Sequence, residues 1–192
     1  YTLDKTALTG IGTIARRTLT LGEVTAQTKT YDGSDAADAT KFSATLGNVV
    51  AGEEGSVTAT AAGATYNDKN VARVSKVTYT GLALTGTGAA NYAVADTAQG
   101  AGTITQRALT LGAVESQSKI YDGTTAADAS KFRAALGNVV TGEENSVTAI
   151  AAGAVYDDKN VAKASKVNYT GVALTGTGAE NYSIADTAQG AG

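Results

Sequence analysis

Apolar and polar residues alternate along this chain in short runs, and almost every run stops at Gly, Asn or Asp. A period of two predicts β-strands, and the interrupting residues predict tight turns. Thr18-Leu19-Thr20-Leu21 alternates and stops at Gly22. Gln27 to Tyr31 makes a second run that meets the turn pair Asp32-Gly33. Lys41 to Val50 sets Phe42, Ala44 and Leu46 on one side, with Ser43 and Thr45 on the other. After a turn at residues 51–55, Ser56 to Tyr66 alternates Val57, Ala59 and Ala61 against Thr58 and Thr60. Residues 67–70 read as the next turn, and Val71 to Leu84 as a long β stretch carrying Val77, Tyr79, Leu82 and Leu84. Asn91 to Val94 and Thr103 to Thr105 close the pattern. Seven or eight short strands at this spacing predict a β-sandwich.

One segment departs from the alternation. Ser34 to Lys41 can form a helical turn with Ser34 as its N-cap, so a short helix or a loop is expected there. Gly100-Ala101-Gly102 precedes the closing strand and is expected to be flexible.

The whole pattern then repeats. Residues 13–102 align without a gap on residues 103–192, with roughly 65 of the 90 positions identical. So long a period fits one small domain per copy, not a solenoid coil. The expected organisation is residues 15–105 and 106–192 as two repeats. Residues 1–14 then form the C-terminal end of a preceding copy, and the chain reads as a piece of a longer array. Thr103-Ile104-Thr105 should end the first copy and Ala108-Leu109-Thr110-Leu111 open the second, with Gln106 and Arg107 between them. So short a link predicts copies held end to end, with the arginine pairing a carboxylate of the neighbouring copy. The expected fold class is therefore all-β: two tandem immunoglobulin-like β-sandwich repeats of about 90 residues. A β-grasp-like repeat with a short helix is the alternative.

Composition narrows the chemistry. Cys, His, Met, Trp and Pro are all absent. Disulfides, thiolate metal sites, cysteine nucleophiles and the usual neutral-pH base are thereby excluded. The remaining catalytic options need a carboxylate pair, a Ser–Lys pair or a metal. The acidic pairs Glu53-Glu54 and Glu143-Glu144 sit in turns, where such pairs are ordinarily just solvated. The chain is expected not to be an enzyme and to use no cofactor or metal. Asp32, Asp35 and Asp38 could gather calcium, but the second copy has Thr125 in place of Asp35. The net charge of −3 carries no basic run, so nucleic acid is not an expected partner. No stretch approaches the length of a membrane span, so this fragment is not expected to insert in a membrane. A thiol-free chain rich in Gly, Thr, Ala and Asp suits export to a bacterial surface.

Three motifs stand out, once per copy. The first joins Lys29, Tyr31, Asp32 and Gly33, and returns as Lys119, Tyr121, Asp122 and Gly123. The second joins Asp68 and Asn70, and returns as Asp158 and Asn160. The third is Asn91-Tyr92, which returns as Asn181-Tyr182. A ligand contact repeated along a rod is one reading of them. The other is structural: Gly supplies positive φ, Asp and Asn satisfy turn backbone, and a tyrosine beside a corner ties the fold together. The structural reading is preferred. Lys29, Asn91 and Asp32 also supply the groups of a Lys–Asn cross-link, though spacing alone does not bring them together.

Taken in order, these residues resemble the YDG-type repeats of large secreted bacterial adhesins. The resemblance rests on Arg107 to Leu111, Lys119 to Gly123, Asp158 to Val161, Thr170-Gly171, Leu174 to Gly176 and Asn181-Tyr182, with the same set in the first copy. It implies a filamentous-haemagglutinin-like protein exported by two-partner secretion, an extracellular place on the bacterial surface, and a part in adhesion or biofilm formation. It implies no catalytic residues. The expected role is a semi-rigid stalk whose partners are neighbouring repeats of the same chain. The alternative is multivalent binding of extracellular glycan or of host or biofilm matrix by the repeats themselves.

Overall fold

A computed structural model describes residues 11–192, so the reading of residues 1–14 as the end of another copy lies largely outside the described residues. The fold is all-β, in two tandem repeats whose only helical elements, among the described residues, are three-residue 3₁₀ turns. The chain divides into two compact units, and the division does not follow the repeats. One unit holds the chain up to Thr25 with Ala37–Thr65 and Thr78–Gly100; the other holds Ala26–Ala36, Tyr66–Val77 and Ala101–Gly192.

In the first unit, Arg17–Thr18 pairs in parallel with Tyr92–Ala93. Thr20–Val24 pairs antiparallel with Ala44–Gly47, and Thr58–Thr60 with Ala83–Thr85. Leu19, Val57 and Tyr92 form the core here, with Leu46, Val49 and Leu84 packed against them. Phe42 lies 4.9 Å from the ring of Tyr79.

The second unit repeats these pairings ninety residues on and adds a three-stranded antiparallel sheet. Its order is Gly153–Tyr156, Lys166–Thr170, Thr187–Ala191. Phe132, Tyr156, Val167, Tyr169 and Val172 make its core. The alternation explains this selection, because Val167 and Tyr169 share the inward face of one strand while Lys166 and Thr170 are exposed. The corresponding sheet of the first copy has a fourth strand, Gln27–Thr30, which pairs in parallel with residues 102–105 of the strand Thr97–Thr105.

Several expected runs are shorter than the alternation suggests. The run from Lys41 to Val50 is a strand only over Ala44–Gly47. A 3₁₀ turn, Ala39–Lys41, precedes it, and its N-cap is Asp38, which accepts from the Thr40 N–H, rather than Ser34. The run from Ser56 to Tyr66 breaks at residues 61–62, where the Ala62 N–H donates to Thr80 O and Gly81 O. The stretch from Val71 to Leu84 breaks twice. The Arg73 and Val74 N–H groups first fold back onto Asn70 O, and Gly81 then adopts φ +61°. The closing strand is longer than expected, because Gly100-Ala101-Gly102 lies within it. Gly102 is required there by close approach: a Cβ on it would sit 2.7 Å from the Lys76 carbonyl carbon. Only Gln106 separates that strand from the next, Arg107–Ala108.

Candidate functional site: a carboxylate clamp between the two copies

The YDG motif forms a tight turn built on one lysine. In the first copy the Lys29 ammonium donates to Asp32 Oδ1 at 2.8 Å, Ser34 O at 2.8 Å and Ala36 O at 3.0 Å. It also lies 5.4 Å from the centre of the Tyr66 ring. Asp32 accepts from the Ser34 N–H at 2.9 Å, and Gly33 turns the chain with φ +80°. Burial works against the Asp32 carboxylate, but the bonds from Lys29 and Ser34 outweigh it and hold its pKa below the usual value. The second copy repeats the turn: Lys119 donates to Asp122, Thr124 O and Ala126 O, and Gly123 has φ +76°. Lys119 and Thr124 bring Asp122 down to about 2. Asp68 and Asp158 close the second motif in the same manner, each accepting the N–H of the Asn two residues on at 2.7 Å.

One of these turns meets the other copy, wholly within the second compact unit. The Tyr31 hydroxyl donates to Glu143 Oε1 at 2.7 Å, and the Tyr182 hydroxyl donates to Glu143 Oε2 at 2.7 Å. The two rings sit edge to face, 5.3 Å between centres. Lys69 completes the set at 3.4 Å from Glu143 Oε1. Beside it the Val71 N–H donates to Asn181 Oδ1 at 2.9 Å, and the Asn181 amide donates to Asn70 Oδ1 at 3.0 Å. Gly33 lies so close to Val140 that an added Cβ would meet its Cγ1 at 2.8 Å.

The electrostatics follow from this geometry. Burial alone would raise the Glu143 carboxyl, but donation from Tyr182, Tyr31 and Lys69 outweighs burial and holds it below the usual range. Burial, then the Glu143 carboxylate, pushes Tyr182 up to about 12 and raises Tyr31 as well. At neutral pH one ionised carboxylate thus faces two neutral hydroxyls and an ammonium, an arrangement suited to fastening two segments and not to moving protons.

Copy-specific positions differ sharply. Tyr31 is 1% exposed and Tyr121 is 59% exposed. Asn181 is buried, whereas Asn91 is exposed. Tyr92 keeps the local half of the clamp, donating to Glu53 Oε2 at 2.6 Å. Residues 117–120 form no strand, unlike Gln27–Thr30.

Three expectations change. Glu143 is not simply a solvated turn residue: it is the centre of the clamp, and alternation carried no sign of this. The sign available was the same Glu in both copies, at a fixed distance before the Asn-Tyr pair. Arg107 does not reach for a carboxylate of the neighbouring copy. Its guanidinium donates to Asn138 O and Oδ1 at 2.7 Å each, and Arg17 binds Asn48 likewise within its own copy. In the first copy the Lys29 ammonium is held by Asp32 Oδ1, Ser34 O and Ala36 O, so the lysine of the suggested cross-link is already engaged in its own turn. Tyr79 and Tyr169 are both buried.

Small β-repeats, each built around the same turn motifs and linked by an inter-copy clamp, define a tandem-repeat module. The chain matches the YDG domain family over residues 15–99 and 105–189, and it belongs to that family. No match was found among curated proteins or among solved structures. No helix among the described residues is long and apolar enough to cross a membrane.

Proposed function

We propose that this chain is a segment of a bacterial cell-surface adhesin, in which YDG repeats act as a semi-rigid stalk in adhesion or biofilm formation. The observation that carries this reading is the clamp. The most distinctive motif residues, Tyr31, Asn70, Asn181 and Tyr182, are spent on contact between copies, where a binding module would present them to a ligand. Spacers gain from restrained junctions, because a stiff array holds its end farther from its root than a flexible chain of equal length. The thiol-free composition supports passage through an oxidising compartment. The YDG turns build the repeats, and the Glu–Tyr–Asn clamp couples them.

Each repeat should add about 30 Å, the length of a nine-residue strand such as Thr97–Thr105 at roughly 3.3 Å per residue. Small-angle X-ray scattering of the chain tests this. An elongated particle is expected, with a maximum dimension near twice that increment. A profile matching one compact globule would refute the stalk.

A further inference from the structure

We infer that Tyr31 and Tyr182 form a covalent modification site, at which a one-electron oxidant joins the two rings as dityrosine and so welds the first copy to the second. The inference is independent of the adhesin reading, since it rests only on a buried ring pair inside the second compact unit and on the composition of the chain.

Composition decides where oxidation ends. The chain has no Cys, Met, Trp or His, and it has nine tyrosines. The sulfur, indole and imidazole groups that commonly absorb oxidising equivalents are absent, so an electron taken from a side chain of this protein leaves a tyrosyl radical. The fate of that radical depends on its neighbour. Tyr31 is 1% exposed and Tyr182 2%, so each is shielded from solvent by protein. Their rings pack edge to face with 5.3 Å between centres. Their hydroxyls converge on the two oxygens of one carboxylate, Glu143, at 2.7 Å each. Convergence sets the hydroxyl-bearing ends of both rings side by side, and those ends carry the Cε atoms that bond in dityrosine. A hollow of about 280 Å³, lined by Tyr31, Glu143 and Asn181 among others, leaves the rings room to turn towards each other. Holding the partners together replaces the chance encounter that tyrosyl coupling otherwise needs.

The same carboxylate serves the chemistry. Each ring gives one electron to the oxidant, whose final acceptor is a peroxide. Each phenolic proton passes in turn to Glu143, already its hydrogen-bond acceptor, and from that partly exposed carboxylate to water. The two phenoxyls then form one carbon–carbon bond between a Cε of each ring. The hydrogens on those two carbons move to the oxygens as the rings regain aromaticity. With hydrogen peroxide as the acceptor, two tyrosines and one peroxide give one dityrosine and two waters. The bond ties the segment after Gln27–Thr30 to the strand Tyr182–Ser183, a covalent tie that a chain without Cys cannot make as a disulfide.

Photo-oxidised tris(bipyridyl)ruthenium with persulfate, applied to the dilute chain, tests this, because it takes electrons at a distance and need not touch a buried ring. Persulfate takes up the two electrons as two sulfates. Tryptic mapping by mass spectrometry reads the product. The expected product is a monomer in which the peptide of residues 30–41 is joined to that of residues 167–192, lighter than the two together by two hydrogen atoms. Fragmentation should place the link at Tyr31 and Tyr182, not at Tyr169. Tyr182→Phe keeps a ring in place and should abolish the link, whereas Tyr121→Phe should leave its yield unchanged. Unfolding the chain in urea before oxidation should lower the yield by about tenfold or more, because the partners are then no longer held together. A folded chain that is oxidised without this link overturns the proposal. So does dityrosine that forms in preference between other tyrosines or between molecules, and so does a yield equal in the folded and unfolded chains.

Discussion

Replacing Glu143 with Ala should lower the stability of the second unit by about 2–3 kcal/mol, the usual worth of hydrogen bonds to a charged group lost from a partly buried site. The Tyr31 and Tyr182 hydroxyls would lose their shared acceptor, and the Lys69 ammonium its partner. The first copy supplies the internal control. Among the described side chains Glu53 holds Tyr92 alone, without the second tyrosine and the lysine, so Glu53→Ala should cost clearly less than Glu143→Ala. Urea unfolding of both variants against wild type checks the contrast, and equal losses would deny the clamp its energetic role. Acidity should act through the same group. The folded Glu143 pKa is depressed, so its contribution is complete above the unfolded value, about 4.3. That contribution is lost as pH falls through the lower folded value. The raised tyrosines act at the other limb. Their contribution is complete below about 10, the unfolded value, and is lost as pH rises towards the Tyr182 value of about 12. Glu143→Ala should flatten both limbs.

Tyr169→Ala should be more damaging still, costing about 3–5 kcal/mol, the range for emptying a large aromatic from a core. Tyr169 is 1% exposed, packs 4.9 Å from the Phe132 ring, and accepts from Gln117 Nε2 at 3.0 Å. The core around it has few large residues besides Phe132, Tyr156, Val167 and Val172, so little can collapse into the space. Tyr169→Phe removes the hydroxyl alone and should cost about 1 kcal/mol, because Gln117 keeps its bond to Asp128 O. Thermal unfolding followed by circular dichroism separates the two. A Tyr169→Ala protein as stable as Tyr169→Phe would show that this core is not what holds the unit together.

Local chemistry was legible in the sequence wherever it decided the structure. The inward pair Val167 and Tyr169 follows from alternation, and the turn at Gly33 from its Asp-Gly step. Strand ends were less legible, because side-chain alternation continues through residues 61–62 and 71–74, where the backbone folds back on itself. Gly102 misled for a related reason. Its composition suggested flexibility, but the glycine is there because Lys76 backbone passes too close for a side chain. The clamp was out of reach, since Tyr31 and Glu143 lie 112 residues apart and nothing local distinguishes a carboxylate that will find two tyrosines from one that will meet water. The repetition itself concealed the difference between Tyr31 and Tyr121, which share the Lys-x-Tyr-Asp-Gly motif and are opposite in exposure.

The central claim is that the clamp fastens one repeat to the next. Residual dipolar couplings, measured for the wild-type chain and for a variant with a Gly/Ser spacer after Gln106, test it most directly. In the wild type, amides of the two copies should fit one common alignment tensor. In the spacer variant each copy should stay folded but require its own. A wild-type chain whose copies already need separate tensors, as different as those of the spacer variant, would contradict the account and make the array a flexible tether.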